Sequence, residues 1–176
     1  MRRFNSMVLL MLTVIFSACA PTGSSQVTSQ TPSVPLVGLV DIYDAETLMM
    51  AISGEAAGVN IKADITIGLS SVTEFEKPGF LMVIEEGVTV TMQDNFVPVY
   101  FGNETTSGLI NNGTLILTQA FEFAMMTIEN NGVIRIADGG MLVPCYSTIQ
   151  NNGEVIVEAG GELRLERETT FNNAAT

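Results

Sequence analysis

The sequence predicts an all-β chain: a single-stranded parallel β-helix, or β-solenoid, closed at its N-terminal end by a short capping helix. Three observations carry that expectation. A motif containing Asn-Asn-Gly recurs as GLINNGTLIL at Gly108–Leu117, TIENNGVIRI at Thr127–Ile136 and TIQNNGEVIV at Thr148–Val157. Its glycines, Gly113, Gly132 and Gly153, are spaced 19 and 21 residues apart, and a fixed period of this size marks stacked repeats, none of which buries its apolar face alone. After each triplet the apolar residues alternate, Leu115 with Leu117, Ile134 with Ile136 and Val155 with Val157, which is the period of a strand. The 16 glycines and 7% aromatic content suit a turn-rich β protein.

Taken in chain order, residues 1–18 place Arg2 and Arg3 ahead of an apolar run from Met7 to Phe16 and the small residues Ser17 and Ala18. Charged, apolar and then small is the layout of a secretory signal peptide, and the run falls short of the roughly 20 residues a spanning helix needs. Phe16-Ser17-Ala18-Cys19 resembles the lipobox of bacterial lipoproteins, with Phe16 where leucine is usual. That resemblance implies diacylation of Cys19 and membrane anchoring through it. Ala20 in the next position implies sorting to the outer membrane or cell surface. Residues 19–40 then read as a lipidated cysteine and a flexible tether, charge-free from Ala20 to Pro35 and rich in Ser, Thr, Pro and Gln. As a flexible coil that stretch reaches roughly 20–25 Å.

The β-helix domain is expected over 41–176, with regular coils from about 107 onward. Asp44 is placed to cap a helix whose Leu48, Ala51 and Ile52 share one face. That helix would cover the open end of the first coil. Ile61 to Ile67 and Val88 to Met92 alternate and read as strands of earlier, less regular coils. In a parallel stack like residues lie over like at roughly 4.8 Å. The turn residues Asn111, Asn112 and Gly113, Asn130, Asn131 and Gly132, and Asn151, Asn152 and Gly153 should therefore stack, their amides paired as in Asn ladders. Glycine pairs Gly139-Gly140 and Gly160-Gly161 mark a second recurring turn. Thr170-Phe171-Asn172-Asn173 reads as a truncated further copy.

From a short helix through NIKADITI and EEGVTVTM to the NNG coils, residues 41–176 resemble bacterial cell-envelope proteins with a right-handed, pectate-lyase-like parallel β-helix. The resemblance implies that handedness. Relatives of this kind that cleave acidic polysaccharides use clustered Asp with calcium and an Arg or Lys base. Arg135 is the one basic residue in mid-strand of a regular repeat, and no acidic pair recurs at equivalent positions around it. It reads as an outward residue in a modest cross-coil pair.

Charge and composition narrow the chemistry further. The chain carries 19 acidic and 7 basic residues, with every acidic residue beyond position 40 and only five basic residues there. Such a domain repels phosphate backbones, so no nucleic-acid partner is expected. Histidine is absent, which removes an imidazole base. Asp138-Gly139-Gly140 and Glu85-Glu86-Gly87 read as turns with solvated acids, Cys145 as a small buried residue, and Met49-Met50 and Met125-Met126 as core fillers. Ile116 and Ile156 should flank Arg135 in one outward column.

No catalytic residue, cofactor or metal is assigned, and the protein is read as no enzyme. The expected function is a non-catalytic, lipid-anchored cell-envelope β-helix with a surface-binding, adhesive or structural role. Its partners are the membrane, through Cys19, and a glycan or protein surface. The alternatives are a polysaccharide-binding or remnant lyase-like protein, and an end-stacking unit that self-associates or belongs to a longer surface protein.

Overall fold

A computed structural model describes residues 38–68, 75–93, 97–100 and 107–174; the signal segment, Cys19 and the tether up to residue 37 lie outside them. The chain is a β-solenoid of about five turns. Strand β1 (Val40–Ile42) and helix α1 (Ala45–Ser53) come first. The first coil is β2 (Gly58–Ile61), β3 (Ile65–Gly68) and β4 (Phe75–Glu76). The second is β5 (Leu81–Ile84), β6 (Thr89–Gln93) and β7 (Val97–Tyr100). The third is β8 (Ser107–Asn111), β9 (Thr114–Leu117) and β10 (Ala120–Ala124). The fourth is β11 (Thr127–Asn130), β12 (Val133–Ile136) and β13 (Met141–Cys145). The fifth is β14 (Thr148–Asn151), β15 (Glu154–Val157) and β16 (Glu162–Leu163), after which β17 (Thr170–Asn173) lies on β14.

Each coil gives one strand to each of three sheets, and all pairings are parallel. The first sheet runs β1-β2-β5-β8-β11-β14-β17, the second β3-β6-β9-β12-β15, and the third β4-β7-β10-β13-β16. Equal register turns alternation along a strand into columns along the axis. Ile65, Val90, Leu115, Ile134 and Val155 form one inward column, and Val59, Met82, Leu109, Ile128, Ile149 and Phe171 another. Most of these side chains are fully buried, each contributing about 1.5–3 kcal/mol over exposure. The interior void is lined only by apolar residues, among them Leu48 and Ile52 of α1, and measures about 10 Å³. That is at the lower limit for one water, so side chains fill this part of the core.

Helix α1 starts where Asp44 Oδ1 accepts from the Thr47 amide at 2.8 Å. It places buried Leu48 on the core, with Ala51 and Ile52 packed beside it. Its C-terminal end is held by a contact absent from the sequence expectation. Lys77 Nζ donates to the carbonyls of Ala51, Ile52 and Gly54 at 3.1, 3.0 and 2.7 Å, and stands 5.0 Å from the Phe80 ring centroid. An ammonium at the negative end of the helix dipole satisfies carbonyls that have no partner within the helix.

Three expectations need correction. Met126 is buried and Met49 packs on the core, but Met50 and Met125 are exposed. Met50 lies on the outer side of α1, and Met125 turns outward at a corner. Glu85 is not a free turn acid; it pairs with Lys62. Val157 keeps register with Ile136 yet is 46% exposed. Among the described residues no strand covers β15 or β16 on that side. The further copy at Thr170–Asn173 is in register, Thr170 pairing with Thr148, which sets Asn173 over Asn151 and Ala174 over Asn152.

Candidate functional site

The corner between the first and second sheets carries the repeated turn. Its inward column reads Ile42, Ile61, Ile84, Asn111, Asn130, Asn151 and Asn173. The four asparagines form a continuous amide ladder. Asn111 Nδ2 donates to Asn130 Oδ1 at 2.7 Å, Asn130 Nδ2 to Asn151 Oδ1 at 2.6 Å, and Asn151 Nδ2 to Asn173 Oδ1 at 2.6 Å. The same amides also reach main-chain carbonyls, Asn111 to Val133 at 2.9 Å and Asn130 to Glu154 at 3.0 Å. Beside this ladder runs an outer one. Asn152 Nδ2 donates to Asn131 Oδ1 at 2.9 Å, and Asn131 Nδ2 to Asn112 Oδ1 at 3.0 Å.

The glycine of each triplet is required by close approach. A Cβ on Gly132 would collide with the Gly113 carbonyl, and one on Gly153 with the Gly132 carbonyl. Those carbonyls accept from Val133 and Glu154 at 2.8 Å, so they cannot move aside without breaking the ladder between coils. At the lower end of the inner column, Asn111 Oδ1 is buried with no partner, because the residue beneath it is Ile84.

In the outer column of the early coils stands a polar cluster. Lys62 Nζ lies 3.6 Å from Asp41 Oδ1 and 3.3 Å from Glu85 Oε1. Asn60 Nδ2 donates to Glu85 Oε1 at 2.7 Å. The Asn60 hydrogen bond, then Lys62, hold the Glu85 carboxyl below its ordinary value, and Glu85 and Asp41 raise the Lys62 ammonium. A cation seated between two carboxylates of neighbouring coils is a structural bridge.

Arg135 lies between Ile116 and Ile156 in an outward column of the second sheet. Both isoleucines are half-buried, and Arg135 reaches Glu158 of the next coil at 3.5 Å. Arg164 pairs with Glu162 and Glu166. Arg167 sits over the Tyr146 ring at 6.0 Å from its centroid. With Lys62 and Lys77, all five basic residues of the domain are thus committed to contacts within the chain. Cys145 is buried, and burial pushes its thiol above the ordinary value, leaving it without the thiolate character a nucleophile needs.

The corner between the third and first sheets holds Met125, Tyr146 and Arg167, all with left-handed backbones. Nothing in the sequence marks it, because none of the three is a residue associated with that conformation. The Lys77 clamp was equally hidden, its partners lying 23 to 26 residues away in sequence. Comparisons with protein-family models, with curated proteins and with solved structures find no match to this chain.

Proposed function

We propose that the protein is a non-catalytic lipoprotein of the bacterial cell envelope, anchored through Cys19, whose solenoid is of the right-handed, pectate-lyase-like kind and presents its lateral surface for binding. The observation that carries this reading is the use of all five basic side chains as internal clamps. A lyase acting on acidic polysaccharide needs an unengaged cation beside the substrate. Here Arg135, the mid-strand arginine, is flanked by isoleucines and paired with Glu158. The stacked turns and filled core favour a rigid scaffold, and the excess of carboxylates disfavours anionic partners.

Two measurements test the reading. Metabolic labelling with a fatty-acid analogue should mark the wild-type chain and not Cys19→Ser; equal labelling of both would remove the anchor. Protease added to intact cells should digest the tagged domain. Protection until lysis would overturn display at the cell surface.

A further inference from the structure

At the corner between the third and first sheets, a residue in each of the third, fourth and fifth coils adopts a left-handed backbone. Met125, Tyr146 and Arg167 do so with φ of 52°, 49° and 42°. Glu168, next to Arg167, shares it at 55°, whereas the same corner of the first coil uses Gly79 at 82° and the other two corners use Gly87, Gly139 and Gly160 at 78°, 78° and 87°. Glycine or asparagine relieves the clash between Cβ and the carbonyl that this conformation creates. Large side chains are nonetheless present at three successive levels of one corner, and they do not point into the core. Met125 is 45% and Tyr146 49% exposed.

Main-chain hydrogen bonds fix their spacing. The Met125 amide donates to the Cys145 carbonyl at 3.0 Å, and the Tyr146 amide to the Arg167 carbonyl at 2.8 Å. Arg167 stacks on the Tyr146 ring. The result is a ridge parallel to the solenoid axis, pre-ordered before any partner arrives. Methionine, tyrosine and arginine are residue types enriched at the centres of protein interfaces. Glu166 and Glu168 flank Arg167 in the chain, and Glu122 acts electrostatically on Cys145, the neighbour of Tyr146, on a domain with 19 acidic and five basic residues.

From this arrangement we propose that the Met125–Tyr146–Arg167 ridge is a protein-docking surface whose partner presents an apolar pocket for Tyr146 within a basic rim. The carboxylates beside the ridge complement such a rim and steer encounter with it. The proposal deepens the binding role suggested above, and it is tested on purified full-length chain so that its failure is separate from a failure of anchoring or display.

The probe is a random peptide library selected on the full-length protein. Selected peptides should carry Lys or Arg around aromatic or aliphatic residues, and their affinity should fall as salt is raised. Tyr146→Asn should weaken them at least tenfold, whereas Tyr43→Asn, altering another exposed tyrosine, should leave them unchanged. Tyr146→Asn should also melt no lower than the parent. Failure to enrich, enrichment of acidic or uncharged peptides, salt-insensitive binding, or binders indifferent to Tyr146→Asn would overturn the proposal. So would similar weakening by Tyr43→Asn. A lower melting point for Tyr146→Asn would assign the ring to the structure. Tyr146-dependent binding to a panel of neutral polysaccharides in place of peptides would make the ridge a glycan site.

Discussion

Asn130 and Asn131 are adjacent in sequence, yet their side-chain amides run in opposite directions along the solenoid. Asn130 donates forward to Asn151, while Asn131 donates backward to Asn112. The two ladders therefore oppose their dipoles at one corner, where a single ladder would sum them. The inner one is buried and the outer one partly exposed to solvent, so a hydrogen bond in one does not contribute what a hydrogen bond in the other does.

Asn130→Ala should accordingly destabilise the protein by about 2–3 kcal/mol, since it leaves buried donors and acceptors unpaired. Asn131→Ala should cost under about 1 kcal/mol, because water replaces the lost partners. Urea unfolding of both variants measures the difference. Equal losses would show that burial does not rank the two ladders.

The partnerless Asn111 Oδ1 supplies a second prediction. Ile84→Asn places an amide directly beneath it, able to donate upward, while Ile61→Asn places one beneath an isoleucine. Both introduce polarity into the core, but the Ile61 variant should be the less stable by about 1–3 kcal/mol. Comparable stability would mean that the inner ladder cannot be extended downward.

Lys77→Met removes the charge that holds the end of α1. We expect a loss of about 1–2 kcal/mol together with faster amide exchange confined to α1. Unchanged exchange in the helix would show that packing of Leu48 and Ile52 holds it without the clamp.

The Asp41–Lys62–Glu85 bridge predicts opposite behaviour at the two ends of the pH scale. Glu85 is held below its ordinary value of 4.5. Its contribution is present above that value and is lost as pH falls through the lower folded one. Lys62 is raised above 10.5, so its contribution is full below 10.5 and is lost as pH rises through the higher folded value. Glu85→Gln should therefore show a smaller acid-induced drop in melting temperature than the parent. A Lys62→Met variant should approach the parent at high pH. Parallel acid profiles for Glu85→Gln and the parent would remove the bridge from the pH response.

The solenoid itself was legible because its cause is periodic. The NNG spacing and the alternation of Ile134 with Ile136 state both the stacking and the inward face. Asp44 was legible as a cap because capping is local. What could not be read is whatever depends on alignment between coils of unequal length. Lys77 meets α1 only after the first coil closes. Glu85 meets Lys62 because β5 pairs with β2 in a register that loops of irregular length conceal. Met125 reads as a core filler and Tyr146 carries no mark in the sequence, since a corner imposed by three-sheet geometry leaves no signature in their own side chains. The copy at Thr170–Asn173 was legible because Thr170 and Asn173 repeat the positions of Thr148 and Asn151.

The change from isoleucine to asparagine between Ile84 and Asn111 also fixes where such a protein can lengthen. A coil duplicated within the Asn111–Asn151 block arrives with a donor for the level above and an acceptor for the level below, so the array grows without a new unpaired group. Duplicating the junction instead creates a second orphaned carbonyl in the core, as well as a second break in the column. Tandem duplication is thereby penalised across the junction and tolerated on either side of it.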